Sequence, residues 1–358
     1  MKKKIKELDF SNQLIFVGID VHKKSWTVTI QIGGIKIKTF SMDPSPEQLS
    51  KHLQMNYPKG IYKTVYESGF SGYWIDRKLR SLGIDNIIVN AADIPTSNKE
   101  KVQKTDKIDS RKLARELENE NISGIYIPTE KQEALRTLSR LRMQFTKDQT
   151  RIKNRIKSLL YFIGVKFPED YELKHWSGKF ISYLSDLELK HPAIKTTLDE
   201  LIKNLQQVRK QLARVLKKLK AILRENATAN KILNYLETIP GVGFITAATL
   251  FTEIMDIKRF NKLDKLSAYV GLSPATHSSG EKEKVLGLSK RQNSFLRTTL
   301  IESSWVAVRN DPALTMAFSL LTQRMKKQDA IIRIAKKLLN RIMYVWRNEK
   351  EYVCSVVK

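Results

Sequence analysis

A single cysteine, Cys354, stands near the end of the chain. One thiol excludes an intrachain disulfide and any cysteine-based zinc cluster. Long apolar runs are missing too, and none approaches the ~18 residues a membrane-spanning helix needs. The N-terminal Met1-Lys2-Lys3-Lys4-Ile5-Lys6-Glu7 is basic, but no apolar signal-peptide core follows it. Acidic residues are scarce beside basic ones. The 358 residues carry 64 Lys and Arg against 37 Asp and Glu, a formal charge of +27. The excess runs along the whole sequence, which favours a polyanionic partner and salt-dependent binding through counterion release. Nucleic acid suits this better than an anionic membrane surface. The expectation is a soluble, cytoplasmic protein long enough for two or more domains.

Four of the acids stand out by position. Asp20 closes the apolar run Leu14-Ile15-Phe16-Val17-Gly18-Ile19, which reads as a buried strand. Glu67 ends a second strand-like stretch, Thr64-Val65-Tyr66, ahead of Ser68-Gly69. Asp106 and Asp109 lie three apart where a helix begins, so they share a face. Two strand-end acids and a helical pair supply the oxygen ligands that hard cations such as Mg2+ take in phosphoryl-transfer sites. The other reading of the pair makes Asp106 an N-cap and Asp109 a first-turn dipole partner. Asp20 is harder to explain that way, because a carboxylate at the end of a buried strand is costly without a partner or a metal.

Residues 1–129 alternate strand and helix signals. Trp26–Ile30 and Ile35–Phe40 flank Gly33-Gly34, a hairpin signal. A helix over Pro46–Met55, the Glu67 strand, a helix from Gly72 to Leu82 stopped by Gly83, a strand at Ile87-Ile88-Val89 and the Asp106 helix follow. That order gives an α/β domain with a mixed sheet and matches the ribonuclease-H-like fold. Residues 130–230 read as a long helical arm. Leu198, Leu201, Leu205, Val208, Leu212, Val215, Leu219 and Ile222 recur at spacings of three and four, which predicts a coiled coil and a dimerisation element. Leu135, Leu138, Leu141, Phe145, Ile152, Ile156 and Leu159 form a similar, interrupted stripe, with an irregular insert between the two. Both stripes could instead be helices packed on the body.

Residues 231–325 predict a mostly helical domain, and 326–358 a C-terminal helix. The domain opens on a helix-hairpin-helix-like segment in which Ile239-Pro240-Gly241-Val242-Gly243 joins two helices. Gly241 and Gly243 permit a tight turn and let backbone N–H groups approach a phosphate, although a plain helical hairpin fits the same residues. Downstream, Leu272–Lys282 reads as a polar loop holding His277, Ser278, Ser279 and Gly280. Lys290 and Arg291 follow, placed to neutralise phosphate or simply to face water. A serine there could act as a nucleophile or as an ordinary turn former.

In chain order, Gly18-Ile19-Asp20-Val21-His22, Glu67-Ser68, Lys104–Ala114, Ile239–Gly243, Tyr269–Pro274, His277–Gly280 and Leu288–Arg291 resemble the DEDD transposases of the insertion-sequence-one-ten family and related site-specific DNA invertases. The resemblance implies a RuvC-like nuclease domain and a C-terminal serine transposase domain. It makes Asp20, Glu67, Asp106 and Asp109 the catalytic Mg2+ ligands. Ser278 becomes the nucleophile of a phosphoserine–DNA intermediate, with Gly280 completing its motif and Ser279 in reserve. Gly241, Gly243, Gly280, Lys290 and Arg291 would contact nucleic acid. The implied reaction is excision and site-specific insertion of a mobile element in a prokaryotic cell, at the nucleoid. The partners are donor and target DNA, an element-encoded bridge RNA, and further copies of the chain in a dimer or tetramer. Glu281 and Gln292 stand where the family often has glycine. A Holliday-junction resolvase-like metal nuclease would need the acids alone, and a non-catalytic scaffold would need neither set.

Overall fold

The computed structural model describes residues 8–95, 105–166, 176–279, 282–289 and 292–354, with the backbone alone over 275–279 and 282–286. The chain divides into two compact units, Met1–Ile127 and Pro128–Lys358.

The first unit is built on a mixed five-stranded sheet in the order β3-β2-β1-β4-β5. Strands β1 (Leu14–Val21), β2 (Trp26–Ile32) and β3 (Ile35–Met42) form the antiparallel meander. Gly33 and Gly34 both take positive φ, +59° and +79°, which a two-residue hairpin turn of the right hand requires. Helix α1 (Pro46–Asn56) returns the chain to β4 (Ile61–Glu67), parallel to β1, and α2 (Trp74–Ser81) leads to β5 (Asp85–Val89), parallel to β4. Ser45 caps α1 by accepting from the Gln48 N–H, with Pro46 in the first turn. One sheet face packs Ile15, Val17, Ile19 and Ile88 against Leu49, Leu53, Ile75 and Leu79 of α1 and α2. On the other, Val65 and Val89 meet Leu113 of α3 (Asp106–Glu118). β1 is covered on both sides, which is why it reads as an unbroken apolar run.

The second unit begins with α4 (Glu130–Phe162), started by a capping box between Thr129 and Gln132. The span expected to be irregular contains α5 (Gly178–Ser185), with its residues 167–175, Pro168 among them, outside the described residues. Helix α6 (Pro192–Glu225) runs antiparallel to α4: its Leu198–Val208 half shares a core with Ile152, Ile156 and Leu160. Its Leu219 and Leu223 share another with Leu135 and Leu138. The expected heptad is only partly the buried stripe. Ile202 and Leu223 are buried where Leu201 is half-buried and Ile222 43% exposed. A straight α-helix drifts by about 20° per heptad, so the contact face walks off a 3.5-residue repeat.

Helices α7 (Ala227–Glu237), α8 (Phe244–Ile254), α9 (Leu263–Val270), α10 (Ser294–Asn310), α11 (Pro312–Thr322) and α12 (Lys327–Asn348) pack around one apolar core. The segment expected to be a loop is strand β6 (Pro274–Ser279), paired antiparallel with β7 (Lys282–Leu288). Polar residues there pair through backbone hydrogen bonds, which side-chain polarity does not report. No helix among the described residues is long and apolar enough to cross a membrane.

Candidate active site

Gly18 sets the geometry of the acids. A Cβ at this position would lie 2.0 Å from the Ser110 carbonyl oxygen and 2.5 Å from the Ala114 nitrogen. Only glycine lets α3 approach β1 so closely. The helix is held there by the buried hydrogen bond between the Ser110 and Thr29 hydroxyls, 2.9 Å. At its far end Glu118 accepts from the Gln31 amide and, at 2.8 Å, from the Gly34 N–H in the β2–β3 turn. Thr105 is the N-cap, accepting from the Ile108 N–H at 3.3 Å. Asp106 is therefore the first helical residue and not the cap, which frees its carboxylate to turn toward β1.

Asp20 sits one residue from the end of β1 with its side chain 22% exposed. His22 Nε2 lies 3.1 Å from Asp20 Oδ2 and 3.7 Å from Asp106 Oδ1. Burial lifts the Asp20 carboxyl above its ordinary range; the Asp106 and Asp109 carboxylates push the same way, and His22 opposes them. Three of the four expected acids thus interact. Glu67 ends the neighbouring strand β4, one residue beyond the Ile19–Tyr66 pair, and neither it nor Asp109 belongs to the tightest group, which is Asp20, His22 and Asp106.

One ligand atom each from Asp20, His22 and Asp106 can be drawn within 4.8 Å of one another. This donor set fits a divalent cation. Among the described residues, no Lys or Arg forms an ion pair with Asp20, Asp106 or Asp109, so the mutual repulsion of the carboxylates is met by no fixed protein cation. His22 is the residue that sequence reasoning passed over as a ligand. Its signal was the i, i+2 spacing from Asp20, which puts two side chains on one side of an extended strand.

The second expected set lies in the other unit. Ser278 and Ser279 are the last residues of β6 and pair with Glu283 and Lys282. Gly280, Lys290 and Arg291 lie outside the described residues. Near the start of α10 lies a buried acid that the sequence did not single out. Glu253 of α8, 1% exposed, accepts two hydrogen bonds from Arg140 at 2.7 and 2.9 Å and one from the Asn293 amide at 2.7 Å. Asn293 in turn caps α10 through the Phe295 and Leu296 N–H groups. The two turn glycines divide their work. Gly241, at φ +86°, packs on α10, where a Cβ would meet the Ser303 carbonyl at 2.4 Å. Gly243 caps α8 with open space around it.

Comparison with known proteins places the chain in a family. Residues 17–164 match the DEDD model of the IS110 elements, described as a transposase, and residues 233–318 match the transposase IS116/IS110/IS902 family. The chain is 30% identical over 296 residues to "Putative transposase y4qE" of Sinorhizobium fredii, covering 81% of this chain and 71% of that protein. The chain belongs to the IS110 transposase family. "Putative transposase y4rJ" of the same organism is 28% identical over 91% of this chain and 90% of its own length. The transposase for insertion sequence element IS1111A of Coxiella burnetii is 26% identical over 80% and 78%.

As an IS110-family transposase, the protein is an enzyme that cleaves and rejoins DNA. The DEDD match takes in Asp20, Glu67, Asp106 and Asp109, in a family that works with a divalent metal. The second match runs from α7 to α11 and includes the glycine turn and the β6–β7 hairpin. Helix α12 lies beyond both.

Proposed function

We propose that this transposase excises a mobile element and inserts it at a specific site through a phosphoserine–DNA intermediate, and that its first unit is a ribonuclease-H-like, RuvC-like domain. The observation that carries the reading is the convergence of Asp20, Asp106 and Asp109 without a paired Lys or Arg among the described residues. The order β3-β2-β1-β4-β5 with α3 against the central strand supports the domain assignment. Asp20, Asp106, Asp109 and Glu67 would hold Mg2+, with His22 beside them. A bound divalent ion supplies stabilisation of the charge that develops on phosphodiester oxygens.

Ser278 is the nucleophile, with Ser279 as the neighbouring alternative. Its Oγ bonds to phosphorus, the bond from phosphorus to one deoxyribose oxygen breaks, and the hydroxyl proton leaves with that oxygen. The phosphoserine keeps the phosphodiester linkage, so a free hydroxyl of a second strand can displace the serine and join two DNA ends without another energy source. Lys290 and Arg291 neutralise phosphate charge near the hairpin, and the Gly241–Gly243 turn presents the α8 N-terminus to the backbone of a strand. Residues 1–129 act as the acid domain, 130–230 as a coiled-coil dimerisation arm, 231–325 as the serine domain and 326–358 as a C-terminal helix. The relation extends to site-specific invertases, which also join the ends they cut.

A bridge RNA pairing with donor and target DNA fits the charge of +27. Strand exchange and covalent DNA capture by wild type, Asp106→Ala, Ser278→Ala and Ser279→Ala test the mechanism. Loss of the adduct in one serine variant and of exchange in Asp106→Ala is expected. Normal exchange by both serine variants with no adduct would leave a metal nuclease of the resolvase type. Sequencing RNA that copurifies with the protein from its own element tests guidance, and exchange without any such RNA removes it.

A further inference from the structure

Helix α12 buries one face completely, from Ala330 and Ile331 through Leu338 and Leu339 to Trp346. Its opposite face carries Arg333, Lys337, Asn340 and Tyr344, all exposed and spaced at i, i+4, i+7 and i+11. These four line one side of about 16 Å of helix. Two concavities meet along it. One, of about 600 Å³, is walled by Arg333, Lys336, Lys337, Asn340 and Arg341 over a floor that includes Leu314. The other, of about 490 Å³, shares Asn340 and Arg341 and continues past Tyr344 to Lys350 and Tyr352.

The groove is a fixed feature of the fold. Its far wall is the C-terminal segment, pinned where the Tyr352 hydroxyl donates to buried Asp311 at 2.6 Å and accepts from Arg341 at 2.8 Å. The Tyr352 N–H donates to the Thr238 hydroxyl at 2.8 Å. Arg341 is therefore committed to Asp311, 3.4 Å away, and Lys336 pairs with Asp264 at 2.8 Å. Arg333, Lys337 and Lys350 have no ion-pair partner among the described residues, and Glu351 is the one acid that lines the second concavity. The Tyr344 ring is 61% exposed among these cations. Free cations along a groove with an uncovered aromatic ring and a carboxamide between them combine charge for phosphates with a stacking surface and a hydrogen-bonding group for bases. A duplex keeps its bases stacked away from such a ring; a single strand does not.

We propose that the α12 groove is a binding track for single-stranded nucleic acid, with Arg333, Lys337 and Lys350 on its phosphates and Tyr344 stacked on a base. The residues that would contact the strand, Arg333, Lys337, Tyr344 and Lys350, lie beyond the ranges that match the family models, and the site is independent of the serine mechanism. DNA displaced during strand exchange and an RNA strand offer the same chemistry, and the experiment separates them.

Fluorescence anisotropy of the full-length protein is measured over a salt series with labelled 20-nucleotide single-stranded DNA, single-stranded RNA of the same sequence, and duplex DNA. Arg333→Ala/Lys337→Ala is expected to flatten the log–log salt slope by about 1.4 for the strand that uses the groove, since each lost phosphate contact removes about 0.7. Tyr344→Ala is expected to weaken that strand by between about fivefold and a hundredfold, and Tyr344→Phe to restore it. Photo-crosslinks from 5-bromouracil in the bound strand should map to residues 333–352. The probe affected, DNA or RNA, names the source. All three side chains point away from the core, so melting temperatures should match wild type. Unchanged slopes and affinities for both single strands, an equal loss on duplex, or crosslinks that avoid 333–352 would each overturn the proposal.

Discussion

Gly18→Ala tests the link between packing and chemistry most directly. The added methyl would sit 2.0 Å from one backbone atom of α3 and 2.5 Å from another. Ordinary contact needs roughly 3.5 Å, and backbone cannot rotate aside, so α3 must retreat from β1 by more than about 1 Å. Overpacking of this kind costs about 1–3 kcal/mol. The retreat also stretches the buried Ser110–Thr29 hydrogen bond from 2.9 Å, which adds about 0.5–1.5 kcal/mol, since Thr29 keeps the Thr39 hydroxyl and Ser110 the Lys107 carbonyl as partners. A total of about 3 kcal/mol should lower the melting temperature of the first unit by about 10 °C. Asp106 and Asp109 travel with the helix, and a displacement of about 1 Å costs roughly a hundredfold in rate. The assay pairs thermal melting with strand exchange on a supercoiled donor, measured well below the melting temperature. Gly33→Ala is the control: it strains a positive φ but meets nothing within 4 Å, so it should lose stability without losing exchange by the folded fraction. If Gly18→Ala melts and recombines like wild type, or loses no more exchange than Gly33→Ala, the close approach does not place the acids.

Three further outcomes follow from named contacts. The Asp20 carboxyl is raised above its ordinary 3.8, so the folded state binds its proton more readily than the unfolded chain does. Its charge therefore destabilises the metal-free protein at neutral pH, and this cost disappears as pH falls below about 4. Asp20→Asn should melt higher than wild type at pH 7 in EDTA, converge with it near pH 4, and lose strand exchange; a lower melting point at pH 7 would contradict the electrostatics. Glu253→Ala removes the carboxylate that Arg140, Arg136 and the Asn293 amide share, and should cost about 3 kcal/mol by denaturant unfolding, the low end for a broken buried pair because Arg140 is 41% exposed. Asp311→Ala removes the α11 cap and the partner of Arg341 and Tyr352, for about 3–5 kcal/mol, whereas Tyr352→Phe should cost only about 1 kcal/mol.

The sheet was legible because its signals are local. An apolar run, a Gly-Gly turn and a helix-stopping Gly83 are each readable within a few residues, and their order gives the topology. The helix start that carries Asp106 and Asp109 was legible for the same reason. Gly18 was not, since its role exists only against Ser110 and Ala114, some ninety residues on. The β6–β7 hairpin was missed because pairing, and not composition, makes those polar residues a strand. Glu253 did leave a trace: a lone acid in Phe251-Thr252-Glu253-Ile254, within a helix that carries no other charge. Such a residue has to be paired when buried, but the partner, Arg140, is more than a hundred positions away.

Glu253 and Asp20 show what the charge excess does to the meaning of an acid. Both are at least partly shielded from water, and both belong to a chain whose 64 Lys and Arg outnumber its 37 Asp and Glu, a formal charge of +27. Glu253 has drawn a bidentate guanidinium and an amide, so its charge is neutralised inside the fold. Asp20 has drawn a half-exposed imidazole and two more carboxylates, although Lys23 and Lys24 follow it in sequence and Lys107 and Arg111 flank Asp106 and Asp109. A fold optimised for stability alone would have supplied a lysine there, at the small cost of one substitution on an exposed helix turn. Leaving the cluster without a Lys or Arg partner among the described residues keeps its oxygens available for a cation that arrives from solution. Asp109→Lys should therefore raise the melting temperature of the metal-free protein at neutral pH and abolish Mg2+-dependent strand exchange. Retained exchange in that variant would mean that the acids do not hold the ion.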